Sequence, residues 1–178
     1  PARLILFFSI PLLIGNVFQQ FYSMVDTIIV GKYVGVKALA AVGATSSLSF
    51  LVIGFTQGLT SGFSVIVAQK FSAEDENGLK NSVAISTILS IVTTILITLI
   101  SVATVKPVLS IMNTPADITA QAELYIKIIY AGTGATVFYN MIAGILRSLG
   151  DSKTPLYFLI LSSVLNIVLD LFFIINLN

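Results

Sequence analysis

The 178-residue chain has no cysteine and no histidine. Their absence excludes structural disulfides, zinc sites and catalysis by a histidine base. Charged residues are also scarce: they make up 10% of the chain, against about 25% in ordinary soluble domains. The formal net charge is only +1, and the sequence has no basic stripe or nucleic-acid-binding motif, so we do not expect a nucleic-acid partner.

Apolar residues dominate what is present. They account for 56% of the chain, and the mean hydropathy is +1.01. A water-soluble fold of this length could not bury so much apolar surface, so the bilayer is the expected solvent. The sequence has no nucleophile elbow, no P-loop and no metal-ligand spacing, so we expect neither an enzyme nor a bound cofactor.

Long apolar segments separated by polar or turn-forming residues predict an all-α, polytopic transmembrane bundle. A helix needs about 20 residues to cross the hydrocarbon. The five predicted helices cover about residues 4–31, 38–69, 79–105, 115–149 and 155–175. A short amphipathic segment at 106–113 is expected to lie at the membrane interface.

Helix-terminus signals support these boundaries. Thr114 is the expected N-cap of the fourth helix, with Pro115 at its first position and Asp117 in its first turn. Thr154 and Pro155 repeat this pattern for the fifth helix. Gly150 is expected to follow the end of the fourth helix in the left-handed conformation.

The distribution of Lys and Arg gives a weak orientation. An inside N-terminus puts five of them inside and three or four outside, in agreement with the positive-inside rule. We therefore expect a cytoplasmic N-terminus. The expected location is a bacterial plasma membrane. Because the chain begins with Pro1 and ends in apolar sequence, we interpret it as a fragment of a longer polypeptide.

Two aspartates, Asp26 and Asp170, lie inside these apolar segments. A carboxylate at the centre of a membrane helix costs about 2.5–3.5 kcal/mol on insertion scales, and such residues usually serve a function. The first and fifth predicted helices run in the same direction. Each aspartate lies five residues before the end of its helix, so both should sit roughly 7–8 Å from the same membrane face.

Polar residues accompany each acid at helical spacing. Asn166 and Ser163 precede Asp170, while three further polar residues share the stripe of Asp26: Asn16, Gln19 and Ser23. Such an oxygen-rich stripe could bind Na+, or the two acids could share a proton. Alternatively, each aspartate could merely hydrogen-bond a neighbouring helix or reach the interface.

Two rows of small residues occur at a spacing of four. Gly54, Gly58 and Gly62 on the second helix are interpreted as a packing surface, with an open cavity wall as the alternative. The hydroxyl row on the third helix is also interpreted as packing; it consists of Ser82, Ser86, Ser90 and Thr94.

Three segments together resemble the multidrug and toxic compound extrusion family. They are SIPLLIGNVFQQFYSMVDTIIVGKYVGVKALAAVG, LTSGFSVIVAQKFSAEDEN and YNMIAGILRSLGDSKTPLYFLILSSVLNIVLDLFFI. The resemblance implies a twelve-helix transporter with two six-helix lobes, of which this chain would supply five helices of the N-terminal lobe. The C-terminal lobe of the same polypeptide would then be its partner.

The resemblance also implies export of amphiphilic organic cations in exchange for Na+ or H+. The family's cation site maps onto Asp26, Asn166 and Asp170, which would be the Na+ ligands in a sodium-coupled protein. Gln19 matches a cavity glutamine of some members. Tyr139 is the choice for a cavity tyrosine, with Tyr130 as the alternative register.

Two rival functions remain at this point. A flippase for lipid-linked oligosaccharides would share the architecture, but such cavities often use cationic side chains, whereas the cavity charges here are acidic. A channel or structural membrane subunit is a candidate of a different class, because the polar stripe could line a pore.

Overall fold

The structure is a computed structural model that describes residues 2–176. This part of the chain is 92% helical and contains no strand, which confirms the all-α prediction. Six α-helices and one π-helical turn follow in order: α1 (Ala2–Ile29), the π turn (Val30–Val34), α2 (Val36–Ser72), α3 (Glu76–Ile111), α4 (Ala116–Ala131), α5 (Thr133–Ser148) and α6 (Lys153–Asn176).

Five segments in the described range are long and apolar enough to cross a membrane. They are Ile5–Val34, Val36–Ser72, Glu76–Ile111, Ala116–Ser148 and Lys153–Ile174. The fourth of these combines α4 and α5. The chain is therefore an integral membrane protein, as its composition predicts.

The helices form two compact units. One contains α1, the π turn and α6, while the other extends from Ala40 to Leu149 and contains most of α2 together with α3, α4 and α5. The core of the second unit lies between α3 and α4, where Val105, Leu109, Ala122 and Ile126 are almost fully buried.

Helix α3 continues past the predicted end at residue 105 and includes Pro107. The separate interfacial segment at 106–113 is therefore not observed. Val105 and Leu109 flank the proline and both are buried in the core, so packing offsets the backbone hydrogen bond that a proline removes. The Lys106 ammonium also lies 3.7 Å from the Glu123 carboxylate of α4.

The predicted helix at 115–149 is interrupted in the structure. A one-residue turn at Gly132, with φ −79° and ψ −5°, separates α4 from α5, although its N–H still donates to the Ile128 carbonyl at 3.0 Å. Glycine has the weakest helix preference after proline, so a break at this position has a local cause.

Two of the three helix-terminus predictions need correction. Pro115, not Thr114, occupies the N-cap of α4, and it provides no side-chain hydrogen bond. Helix α6 begins at Lys153, two residues before the predicted start, because Asp151 Oδ1 accepts hydrogen bonds from the backbone N–H groups of Lys153 and Thr154 at 3.0 Å. Gly150 has φ +92°, the left-handed conformation predicted for it.

Close helix packing occurs at Gly144 of α5, not at the glycines spaced four residues apart on α2 that were predicted to form a packing surface. A Cβ added at Gly54, Gly58 or Gly62 would meet nothing within 4 Å in the described structure. A Cβ at Gly144 of α5 would instead collide with the Ser64 hydroxyl of α2. At this contact Ser148 Oγ donates to the Ser64 carbonyl at 2.7 Å.

Candidate functional site

The candidate site lies between α1 and α6, the two helices of the first unit. A Cβ at Gly15 of α1 would lie 3.3 Å from Leu159 and 3.6 Å from Leu156 of α6. Eleven residues further along α1, Asp26 meets Asp170 of α6. Asp170 also lies eleven residues after Leu159 on α6, so the contacts progress in the same direction along both helices. The two helices therefore run parallel, with Asp26 and Asp170 at the same level.

The carboxyl groups of Asp26 and Asp170 lie within hydrogen-bonding reach and interact electrostatically. Asp170 Oδ2 is buried, and no donor from the described part of the protein reaches it. A buried carboxylate oxygen without a donor is costly, because it has lost its hydration without gaining a partner.

This geometry limits what the pair can do chemically. Two carboxylates have no proton to donate to each other, and placing both charges together in a partly desolvated site is unfavourable. A shared proton would supply the missing hydrogen bond, and a small cation would neutralise the repulsion. The buried Asp170 Oδ2 is therefore suited to either group.

The other predicted members of the site do not join this contact. Asn166 and Gln19 are exposed on α6 and α1, as are Asn16 and Ser23. Ser163 is buried, but its hydroxyl donates to the carbonyl of Leu159, four residues earlier in its own helix, at 2.7 Å. The structure thus brings together the two acids, while the amides remain on the accessible faces of the same helices.

The two tyrosine candidates belong to the second unit. Tyr139 lies on α5 with 37% of its surface exposed, whereas Tyr130 of α4 is 4% exposed and packs in the core. Of the two, the exposed ring of Tyr139 is the one that a substrate could contact. Its role in a cavity remains a prediction.

No group of three or more His, Cys, Asp or Glu residues that could hold a metal ion occurs in the described range. A cation at the aspartate pair would therefore need neutral oxygen ligands in addition to the two carboxyl groups. Asn166, one helical turn before Asp170, carries the nearest amide oxygen along α6.

The π-helical turn after Asp26 is the feature that sequence reasoning missed. It extends from Val30 to Val34 and is followed by Gly35 with φ +108°. The predicted end of the first helix, at about residue 31, falls inside this turn. Gly31 and Gly35, which weaken a regular helix, were the available signal. Short π turns often occur at functional sites.

Comparisons with known proteins agree with this architecture. The sequence model of the family described as MatE matches residues 11–172. The probable multidrug resistance protein YoeA of Bacillus subtilis is 35% identical over 162 residues, which cover 91% of this chain and 35% of YoeA. The probable multidrug resistance protein NorM of Thermotoga maritima is 26% identical, with the same coverage of both chains.

A solved structure supports the same relationship in three dimensions. A multidrug resistance transporter of the MATE family, solved in an outward-facing conformation, superposes with a TM-score of 0.93 at 33% identity. The match covers 100% of this chain and 39% of the solved one. The chain therefore spans between one third and two fifths of the length of these relatives.

Proposed function

The chain belongs to the multidrug and toxic compound extrusion (MATE) family, and we propose that it forms part of the N-terminal lobe of an ion-coupled exporter of amphiphilic organic cations. The names of the relatives support multidrug efflux, and their greater length supports a second lobe outside this chain. With the N-terminus in the cytoplasm, the aspartate pair would lie near the outer face of the membrane.

The contact between Asp26 and Asp170 is the observation that carries this proposal. An exporter driven by Na+ or H+ needs a membrane-embedded site whose charge changes when the ion binds. A carboxyl pair with one buried, donor-free oxygen meets this requirement. Exposed Asn166 and Gln19 could complete the ligand set or contact the substrate.

The pair offers a direct way to link ion binding to helix position. When H+ or Na+ binds, the repulsion between Asp26 and Asp170 falls, and α1 can remain packed against α6. When the ion leaves, the two carboxylates repel each other across this contact. The π turn, which begins four residues after Asp26, gives the end of α1 a local irregularity that could absorb the resulting shift.

Efflux of a fluorescent organic cation from everted vesicles tests this function. The vesicles carry the whole transporter as wild type, Asp26→Asn or Asp170→Asn, and a Na+ or H+ gradient is imposed. Wild-type efflux should respond to one of the two gradients, and both variants should fall to the level of vesicles without transporter. Asp117→Asn, an exposed acid in the first turn of α4, is the matched control and should keep wild-type efflux.

Two results would contradict the proposal. If both aspartate variants retain gradient-driven efflux, the pair does not couple the ion to transport. If the wild type moves no organic cation under either gradient, the assignment as a cation exporter fails.

A further inference from the structure

Arg147 of α5 is a basic residue of the second unit without an acid partner among the described residues. The other basic residues of this unit are lysines, and each forms an ion pair at 2.5–3.7 Å: Lys70 with Asp75, Lys80 with Glu76, and both Lys106 and Lys127 with Glu123. The Arg147 side chain is partly buried, and no hydrogen bond joins its guanidinium to the described part of the chain. Its five N–H donors therefore remain available to a ligand.

The guanidinium lines a cavity of about 280 Å³ between α2 and α5. Three serines share the lining with it: Ser61 and Ser64 of α2 and Ser148 of α5. The described residues around the cavity include no acid. The cavity thus combines one positive charge with three hydroxyl groups, a set suited to an anion.

A direct contact between the two helices holds this arrangement. Gly144 has no side chain where α5 meets the Ser64 hydroxyl, so the helices approach closely at this level. One turn later, Ser148 Oγ donates to the Ser64 carbonyl at 2.7 Å. Arg147 directly precedes Ser148, so the contact fixes the guanidinium beside the serine side of α2.

The serine hydroxyls can turn toward a ligand without leaving a backbone group unpaired. Ser61 and Ser64 donate to the carbonyls four residues earlier, those of Gln57 and Thr60, at 2.7 and 3.0 Å. These carbonyls lie inside α2 and also accept the helical N–H bonds. A hydroxyl that rotates to donate to a bound oxygen therefore gives up only a second bond to its carbonyl.

The cavity lies near the ends of two membrane spans. Arg147 is one residue before the end of the fourth span at Ser148, and Ala68, which also lines the cavity, is four residues before the end of the second span at Ser72. Both are even-numbered spans, so they end at the same membrane face. With the N-terminus in the cytoplasm, this is the cytoplasmic face, where anionic lipids create a negative surface potential.

An accessible strip of α2 leads from the cavity toward the membrane centre. Gly54, Gly58, Ser61 and Val65 lie on one face of the helix. Val65 is 56% exposed, and a Cβ at Gly54 or Gly58 would meet nothing within 4 Å in the described structure. A molecule with a charged head in the cavity can therefore place an apolar chain along this strip.

We propose that the Arg147 cavity binds the phosphate group of an anionic phospholipid. The planar guanidinium donates two parallel hydrogen bonds to phosphate oxygens, which a lysine cannot reproduce. Basic pockets between membrane helices on the cytoplasmic side are recognised sites for such headgroups. The phosphate neutralises Arg147, and the lipid joins α2 to α5 at the membrane face.

Thermal unfolding of the purified whole transporter in detergent, titrated with phosphatidylglycerol, tests the site. A ligand that binds the folded state raises the Tm in proportion to its saturation, so the titration yields an apparent affinity. Phosphatidylglycerol should raise the wild-type Tm more than phosphatidylcholine with the same acyl chains. Arg147→Gln should weaken the apparent affinity for phosphatidylglycerol by about tenfold or more, the effect of losing at least one charge-assisted hydrogen bond.

Lys80→Gln is the matched control. Lys80 is a basic residue in the first turns of α3, at the same membrane face, but it is exposed and already lies 3.7 Å from Glu76. Its loss should leave the lipid affinity at the wild-type value. Arg147→Lys keeps the charge without the planar fork, so its affinity should fall between those of wild type and Arg147→Gln. This variant also provides the comparison if Arg147→Gln does not fold.

A structure of the wild-type transporter with phosphatidylglycerol should show a lipid phosphate about 2.7–2.9 Å from the Arg147 guanidinium nitrogens. Wild-type lipid affinity in both Arg147 variants would overturn the proposal, as would an equal effect of phosphatidylcholine. An equal rise in Tm with inorganic phosphate would identify a site for free anions instead. A carboxylate of the same polypeptide bonded to Arg147 would show that the cavity serves a protein contact, which also contradicts a lipid site.

Discussion

Asp26 and Asp170 are the two side chains of the candidate site that the sequence predicts most directly. A carboxylate in an apolar run is conspicuous because of its insertion cost, and helix direction placed both acids at one depth. The exposure of Asn166 could not be predicted, because spacing gives the helix face but not the neighbour that covers it.

Asp151 provides a test at the same scale, outside the membrane spans. Hydrogen bonds from Thr154 and Lys153 at the start of α6 lower the pKa of its carboxyl group. The folded state therefore binds the proton less tightly than the unfolded chain. The stabilisation is complete above the ordinary carboxyl pKa of about 4 and is lost as the pH falls through the lower, folded value.

We therefore expect the Tm advantage of wild type over Asp151→Ala to be constant near neutral pH and to shrink below about pH 4. Asp151→Asn is the control, because it keeps an oxygen acceptor but cannot titrate in this range. Thermal unfolding followed across this pH range measures the difference. An advantage that grows on acidification would refute the capping role.

Whole helices show why local signals alone mislead. The third helix was predicted to end at residue 105, but α3 continues through Pro107 because Val105 and Leu109 are buried in the core. Gly132 lies inside a long apolar pattern and still interrupts it. Packing of Val105 and Leu109 decides the first outcome, which periodicity within one segment cannot show, whereas the weak helix preference of glycine decides the second.

Contact between α2 and α5 gives a prediction for glycine substitutions. Gly144→Ala should destabilise the transporter by about 1–3 kcal/mol, the usual cost of overpacking, because the new methyl group displaces the Ser64 hydroxyl. That hydroxyl donates to the Thr60 carbonyl at 3.0 Å and would lose this bond. Ser64→Ala in the same protein should restore part of the stability.

Gly58→Ala is the control for this prediction. Its Cβ would meet nothing within 4 Å in the described structure, and alanine favours the helix over glycine by up to about 1 kcal/mol. Unfolding in detergent should rank Gly58→Ala at or above wild type and Gly144→Ala below it. The reverse order would show that close packing resides in the glycine row of α2.

For the whole molecule, composition and segment length were sufficient to predict the class. Five spans, an all-helical fold and a membrane location follow from apolar content and the scarcity of charge. The two-unit arrangement of the described helices had no sequence signal, since it depends on which apolar faces meet. The chain spans 35% of the length of YoeA, so transport activity is proposed for a longer, two-lobed protein that would include this chain.

The most direct test of the central claim is the affinity of the purified whole transporter for an organic cation, measured as a function of pH and of Na+ concentration. Ion and substrate coupled through one site must alter each other's binding, typically by about 5- to 150-fold. The wild-type Kd should therefore vary with one of the two ions, and the Kd values of Asp26→Asn and Asp170→Asn should be independent of both. If the variants keep the wild-type dependence, the coupling ion binds elsewhere and the Asp26–Asp170 pair is only a structural contact.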